Sequence, residues 1–353
     1  MESKKALDNM IKKSRVHLYK PIQIAEILHN YRKGENIDPS DVLTYINASK
    51  KWRDEISSRL VGRISTSSQK YQDNVFDKNA MPPALLKELA EYNKKNDGIV
   101  ENYIYHRLKE RLSLVREALK YLKNAGPDKF DLDAFLSRFS YSPGLKRSVD
   151  KVYEITVYAL FSVIVKALKV EVSLSIENAD KEILNDFKSF ISITVGLPEG
   201  KLIKKIPAKL FRVGVTNAAD RGLDMWANFG PAIQVKHLTL SEDLAEDVSE
   251  NITADRIVLV CLDAESEMIR RIMTQLSFSD RIQGIVTLSD LETWYKICLS
   301  DKYKDKLGIE LLNNLEREFN FEFPAISAIN PFIEERGYKA ENLIGDWSLD
   351  KNV

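Results

Sequence analysis

The chain has little cysteine, no net charge and no long apolar run, and each shortage excludes a class of protein. Its two cysteines, Cys261 and Cys298, lie in apolar stretches, which favours buried reduced thiols and a cytoplasmic location over a disulfide scaffold. Lys plus Arg and Asp plus Glu both number 52, so any DNA surface must be a local patch. The most apolar run, residues 159–165, is too short to span a membrane, and the first residues lack the apolar core of a secretory signal.

What remains is the composition of a soluble globular protein, with 44% hydrophobic and 29% charged residues. A length of 353 residues suffices for one large domain or two ordinary ones. The four histidines lie apart and show no metal-ligand spacing, so the pattern predicts no zinc site.

The N-terminal part has the periodicity and end signals of helices. Pro21 is predicted to start one helix, and Asp38 followed by Pro39 indicates an N-cap and first turn for the next. A long amphipathic helix is predicted from Ile99 to about Lys123. We therefore expect a helical N-terminal region.

Beyond the Pro143-Gly144 boundary, the pattern mixes helices and strands. A buried helix is predicted over 151–169 and an amphipathic one over 179–193. Later strands are predicted over 256–263 and 281–288, with a helix near 266–276 between them. We expect a helical region over 1–145, a core of mixed helices and strands over 146–300 and a helical extension over 301–353.

The most informative stretch runs from Arg212 to Leu240 and indicates two strands joined by a turn. The first is predicted to take in 211–215 and, after an irregular segment, 223–226; the second covers 232–240. Asn228-Phe229-Gly230-Pro231 has turn chemistry. If the pair closes symmetrically about Phe229, Asp224 lies opposite Gln234.

Side chains alternate faces along a strand, so Lys236 shares the face of Gln234 and Asp224. A carboxylate, an amide oxygen and an ammonium then converge, which is a candidate metal-and-lysine site. Mg²⁺ takes oxygen ligands and usually one or two carboxylates. Lys236 can hold the attacking water and stabilise charge in the transition state. The alternative for Asp224 and Lys236 is an ordinary exposed acid and lysine.

Asp224, nine intervening residues and then Gln234-Val235-Lys236 resemble the PD-(D/E)XK nuclease signature, in the variant where Gln replaces the second acid. The whole chain, from Ser14-Arg-Val-His-Leu-Tyr-Lys-Pro through the Ile-Gln-Val-Lys-His-Leu strand, resembles the HaeII-like type II restriction endonucleases. The resemblance implies that residues 146–300 form an α/β (α+β) nuclease core, the catalytic part, with a mixed sheet flanked by helices. It implies that the helical region over 1–145 contributes grip and specificity in DNA binding. It also implies Asp224, Gln234 and the Val235 backbone carbonyl as Mg²⁺ ligands.

The family often carries another acid in the helix before this hairpin. Glu182 and Asp186 are four residues apart, on one helix face, and Asp220 is a further candidate; all three can equally be solvated surface acids. For DNA contacts, the lysine-rich connector and one polar loop are the candidates, although a solvated surface is the alternative for both. The candidate DNA-binding residues are Lys204, Lys205, Lys209, Arg59, Arg63, Gln69 and Lys70.

The resemblance implies a bacterial cytoplasmic enzyme that hydrolyses double-stranded DNA at the palindrome RGCGCY, with Mg²⁺ and without an organic cofactor. A palindrome read by one kind of chain favours a homodimer. Two alternatives remain open. One is another PD-(D/E)XK nuclease, dependent on DNA structure or modification; the other is a non-catalytic helical DNA-binding protein.

Overall fold

The structure is a computed structural model that describes residues 1–65, 72–142, 144–213, 223–241, 254–263, 268, 271–272, 274, 281–323 and 328–349. These residues fall into two compact units. The first unit holds the described residues of Met1–Thr156 and Leu312–Val353. The second holds those of Val157–Gly214 and Arg221–Leu311.

The first unit is helical. Its helices come from the N-terminal part of the chain and from the C-terminal segment. They are α1 Glu2–Lys13, α2 Tyr19–Lys33, α3 Ile46–Val61, α4 Pro83–Lys95, α5 Ile99–Lys129, α6 Leu132–Ser140, the first half of α7 Val149–Ala167, most of α10 Ile309–Glu322, and α11 Ile329–Glu335.

Most of the predicted helix ends are close to those observed, and one differs. The long helix is interrupted at Gly126, whose φ of 57° and ψ of 179° are not helical, in the Ala-Gly-Pro segment predicted to end it. The predicted N-cap at Asp38 is wrong, because α3 begins only at Ile46. The Asp38 carboxylate instead accepts a hydrogen bond from the Ser40 N–H at 2.8 Å. Such local side-chain bonds compete with helix formation.

A buried carboxylate organises the centre of the first unit. Glu101 is fully buried and accepts hydrogen bonds from His29 Nδ1, from Nε and Nη2 of Arg32, from Asn93 Nδ2 and from Tyr338 Oη, at 2.5–2.9 Å. Although burial raises the pKa of Glu101, these hydrogen bonds lower it to about 2. The carboxylate is therefore ionised, and it links three helices to the C-terminal segment.

Aromatic packing also ties the C-terminal segment to this unit. Phe319 of α10 contacts Phe135 and Phe139 of α6, with ring centroids 5.8 and 5.5 Å apart. All three side chains are fully buried. In the aromatic tail that follows, Phe332 and Trp347 are 0 and 2% exposed, which confirms the prediction of a packed rather than free C-terminal tail.

The second unit contains the sheets. Its elements are the second half of α7, β1 Glu171–Ser175, α8 Lys181–Asp186, β2 Ile203–Pro207, β3 Leu210–Arg212, β4 Met225–Ala227, β5 Ala232–Val235, β6 Ile257–Val260, β7 Ile282–Val286 and α9 Leu288–Leu299. β1 and β2 form an antiparallel pair. The other strands form a five-stranded mixed sheet in the order β3-β4-β5-β6-β7, antiparallel up to β5 and parallel beyond it.

This architecture confirms the expected α/β class, with a mixed sheet, helices and a helical N-terminal region. Two local predictions are wrong. The segments predicted to make one interrupted strand are two antiparallel strands, β3 and β4. The helix predicted over 179–193 is broken at Phe187, whose φ of −102° and ψ of 20° are not helical. The predicted helix near 266–276 lies mostly outside the described residues.

Both cysteines are free and buried, as predicted. Burial raises the pKa of the Cys261 thiol to about 11, so this thiol is not a nucleophile at neutral pH. None of the described helices is long and apolar enough to cross a membrane.

Candidate active site

The turn between β4 and β5 is fixed by contacts that only a few residue types can make. Gly230 has φ of +121°, and a Cβ there would lie 1.7 Å from Nη2 of Arg256. The same Arg256 nitrogen donates a hydrogen bond to the Phe229 carbonyl at 2.5 Å. Glycine is therefore favoured at position 230, because other residues rarely adopt this positive φ and a side chain would also displace the Arg256 guanidinium.

Asn228 fastens this turn to the segment before β3. Its Oδ1 accepts the Lys209 N–H at 2.8 Å, and its Nδ2 donates to the Pro207 carbonyl at 3.0 Å. The three strands β3, β4 and β5 are thereby held together at the turn end.

The register of the hairpin is the one expected from closure about Phe229. Met225 pairs with Ile233 and Trp226 with Ala232, so continuing by one residue places Asp224 opposite Gln234. Asp224 continues the ladder on its other side, since its carbonyl accepts the Val213 N–H at 2.9 Å.

The Asp224 carboxylate bridges the two strands. Its Oδ2 accepts a hydrogen bond from the Val235 N–H at 2.8 Å. Lys236 follows directly after β5, and its N–H donates to the Val260 carbonyl at 2.8 Å, which extends the parallel ladder. The backbone of Lys236 is therefore held by β6, while its side chain is partly exposed.

The environment of the Gln234 side chain is a feature of the site that the sequence alone does not show. It is only 3% exposed, and its Oε1 has no hydrogen-bond partner among the described residues. A buried acceptor without a partner is costly unless a ligand or water satisfies it. An amide oxygen beside a carboxylate suits a hard cation, so these residues fit Mg²⁺.

No group of three or more His, Cys, Asp or Glu side chains able to hold a metal occurs among the described residues. Glu182 and Asp186 are exposed on α8, and in the described structure no hydrogen bond or ion pair joins either to the hairpin. Their role as further ligands stays a prediction. Asp220 lies outside the described residues.

The candidate DNA-binding residues differ in their surroundings. Arg59 is paired with Glu335, and Nη2 of Arg63 donates to the Phe321 carbonyl. Lys204 Nζ donates to the Gly196 carbonyl at 2.9 Å, and Lys205 is 2.8 Å from Glu171 in an ion pair that raises the pKa of Lys205. Lys209 is exposed. Gln69 and Lys70 lie outside the described residues.

The first unit contains a basic cavity that sequence reasoning missed. It has a volume of about 1370 Å³. Seven basic residues line it, Lys5, Lys13, Arg15, Lys20, Arg53, Lys78 and Arg147, against three acidic ones, Glu2, Asp150 and Glu322. They come from several separate segments, so no single charge run in the sequence indicates the whole set. A neutral chain therefore carries a local basic surface.

His17 also lines this cavity and is 6% exposed. Burial, together with the charge of Arg63, lowers its pKa to about 4. Its Nε2 has no hydrogen-bond partner among the described residues. The imidazole is thus neutral at physiological pH, and the positive charge of the cavity comes from its lysines and arginines.

Comparison with known proteins shows the class of enzyme to which this chain is similar. The chain is 48% identical over 338 residues to the type II restriction enzyme HaeII of Haemophilus aegyptius, covering 95% of this chain and 96% of the relative. It is 49% identical over 340 residues to the type II restriction enzyme NgoBI of Neisseria gonorrhoeae, covering 96% of each. No solved structure matches. Both relatives are type II restriction enzymes, and each matches the chain over nearly its whole length.

The family model of the HaeII restriction endonuclease matches residues 3–338. The chain belongs to the HaeII restriction endonuclease family. The resemblance to the HaeII-like type II restriction endonucleases is confirmed, and the likeness to the PD-(D/E)XK signature stays a prediction.

Proposed function

We propose that this protein is a type II restriction endonuclease that hydrolyses phosphodiester bonds of double-stranded DNA in a Mg²⁺-dependent reaction. The observation that carries the active-site assignment is the pairing of Asp224 with Gln234, whose buried Oε1 has no partner among the described residues. We further propose the palindrome RGCGCY as the target, as the resemblance implies, and a cytoplasmic location, which the free buried cysteines support.

Asp224, Gln234 and the Val235 carbonyl are the proposed Mg²⁺ ligands, and a bound Mg²⁺ would supply charge stabilisation at the phosphate. The Val235 N–H holds the Asp224 carboxylate in place through the 2.8 Å hydrogen bond. The Lys236 ammonium orients the attacking water and stabilises the charge that builds up on the phosphate oxygens. Its backbone, fixed to Val260, gives the flexible side chain a defined origin.

The test is cleavage of unmodified plasmid DNA with and without Mg²⁺. Discrete fragments whose ends map to RGCGCY support the proposal. A smear indicates a nonspecific nuclease, and intact plasmid with retained DNA binding indicates a binding protein. Fragments that end at another sequence would refute the target but keep the enzyme class.

We also propose that the helical first unit grips DNA through its basic cavity. Each phosphate contact releases counterions from the DNA, so it makes the fall of log K with log salt concentration steeper by about 0.9. Replacing Arg15, Lys78 and Arg147 by alanine should reduce that slope by two to three units. The matched control replaces three exposed lysines of the same unit outside the cavity, Lys95, Lys120 and Lys129. Equal slopes for both triple variants would refute the role of the cavity.

A homodimer is the proposed assembly, and the region around α8 is its candidate interface. No residue of α8 is buried, and Ile183, Phe187 and Phe190 are 58, 56 and 55% exposed. An apolar surface of this kind marks a contact site. If a two-fold axis passes between the Phe187 residues of two copies, the two segments run antiparallel. Asp186 of one copy then lies beside Lys188 of the other, because each is one residue from Phe187. Sedimentation velocity of Phe187→Asp should show a monomer, and a dimer equal to wild type would refute this interface.

A further inference from the structure

An exposed aromatic pair lies on the strands of the candidate active site. Phe211 of β3 and Trp226 of β4 are cross-strand partners, and their rings stack with centroids 4.4 Å apart and planes inclined by 18°. Despite this contact they are 37 and 43% exposed. Large aromatic side chains at the surface expose apolar area that a ligand can cover.

The core does not account for these two rings. On β4 the flanking residues Met225 and Ala227 are buried, at 0 and 4% exposure, and they point to the opposite face of the sheet. Trp226 is therefore on the other face of β4, which it shares with its cross-strand partner Ala232 of β5. Ala232 is buried and belongs to the hydrophobic core, yet the Trp226 ring beside it stays 43% exposed. The core and the stacking contact with Phe211 therefore cover only part of the two rings.

The register relates this pair to the proposed metal ligands. Trp226 is two residues from Asp224 on the same strand, so both side chains point to one face. Two residues of a strand span about 7 Å. A DNA strand rises about 3.4 Å per nucleotide, so this spacing corresponds to about two nucleotides. On a strand that runs along β4 with its scissile phosphate at Asp224, a neighbouring nucleotide would therefore be within reach of the aromatic pair.

We propose that Trp226, supported by Phe211, contacts the nucleotide adjacent to the scissile phosphate and positions the DNA strand for cleavage. This inference rests on the proposed function. The ligand chemistry is the apolar surface of a nucleotide, either the face of its base or its deoxyribose. Aromatic rings bind both kinds of surface without needing a hydrogen-bond pattern, while the phosphates are left to the metal ligands and lysine.

The first experiment measures duplex binding with Ca²⁺ in place of Mg²⁺, and single-turnover cleavage with Mg²⁺ at saturating enzyme. Trp226→Ala should weaken binding by about 10- to 100-fold, in the range of one stacked base. It should also slow cleavage at saturation, because the strand is no longer held in position. Trp226→Phe keeps an aromatic surface and should restore most of both. Tyr141→Ala, at another exposed aromatic residue, is the matched control and should change neither.

The second experiment tests contact without a change in fold. The Trp226 emission, obtained as the difference between wild type and Trp226→Phe, should be quenched by the target duplex in Ca²⁺. Duplexes that lack one base beside the cut position separate the two sources: loss of quenching identifies a base contact, and retained quenching identifies the deoxyribose.

The outcomes for this inference and for the proposed function are distinguishable. Quenching without any cleavage would refute the nuclease proposal and leave the contact standing. Normal cleavage by a folded Trp226→Ala protein with unchanged affinity would overturn the inference. Losses that Trp226→Phe does not restore, with no quenching in wild type, would assign the pair to hairpin stability and overturn it as well.

Discussion

Changing Gln234 to Glu tests whether the buried amide marks a metal site. Gln234 is 3% exposed, and in the described structure its Oε1 has no partner. A carboxylate placed there without a metal would be desolvated and would face Asp224, and both effects raise its pKa. Burial of this degree raises a carboxyl pKa by roughly 3 units or more, from about 4.3 to 7 or above.

The cost follows from this shift. At neutral pH the carboxyl group at position 234 would stay protonated in the folded variant and be ionised in the unfolded chain. Each pKa unit of this difference lowers the free energy of unfolding by about 1.4 kcal/mol, which gives roughly 4 kcal/mol in total. Because the folded pKa is raised, the variant is least affected near pH 4 and loses stability as pH rises towards 7. Mg²⁺ should reverse the loss, since a second carboxylate binds the ion in its charged form and ligand binding stabilises the folded state.

The assay is thermal unfolding of wild type and Gln234→Glu between pH 5 and 8, with EDTA or with millimolar Mg²⁺. We expect the variant to be less stable than wild type in EDTA, increasingly so at higher pH, and to gain more from Mg²⁺. Cleavage should then need less Mg²⁺ than in wild type. The double variant with Asp224→Asn is the control, because it removes the facing charge and should lower the metal gain. Equal Mg²⁺ stabilisation of wild type and Gln234→Glu would refute the assignment of Gln234 as a ligand.

Four further outcomes are expected. Asp224→Asn should abolish cleavage but keep the fold and DNA binding in Ca²⁺, because an amide oxygen can still accept the Val235 N–H; near-normal turnover would contradict it. Lys236→Ala should lower the single-turnover rate about 10²-fold or more at saturating enzyme, whereas a loss of affinity alone would make it a phosphate contact. Glu101→Gln should cost about 3 kcal/mol in urea unfolding at pH 7, and less as pH falls from 4.5 towards 2, where wild type also protonates. Wild type should lose about 3 kcal/mol of stability as pH falls from 6.5 to 4, because only the unfolded histidine takes up a proton in that range. His17→Phe should remove this loss; parallel stability curves for the two proteins would contradict the buried neutral histidine.

The hairpin could be predicted because its signals are local. The Asn-Phe-Gly-Pro turn sets the closure, and strand alternation then places Asp224 opposite Gln234, which the observed register confirms. The reversal between β3 and β4 could not be predicted in the same way. It depends on Asn228 binding the backbone around Lys209, a contact 19 residues away in sequence.

The basic cavity shows a second limit of sequence reasoning. Arg59 and Arg63 lie in a polar, basic segment that suggested DNA contacts, but their partners are Glu335 and Phe321, more than 250 residues away. Arg15 and Arg147 gave no such signal, because the short basic runs that hold them, Lys12-Lys13-Ser14-Arg15 and Lys146-Arg147, are far apart in sequence and share a surface only after the helices pack. Long-range packing, rather than local composition, determines which cations share a surface.

The division of the chain has a consequence for its synthesis. In sequence, the second unit is inserted into the first, which begins at Met1 and is completed by residues from Leu312 onward. Because a chain is made from its N-terminus, the sheet and its hairpin are available before Phe319, Phe332 and Trp347 exist to fill the helical core. During translation, the segment with the proposed active site can therefore fold while the helical unit still exposes part of its apolar interior. Exposed apolar surface makes a partly folded chain prone to aggregation, so a chain that lacks the last helices should aggregate more than the full chain.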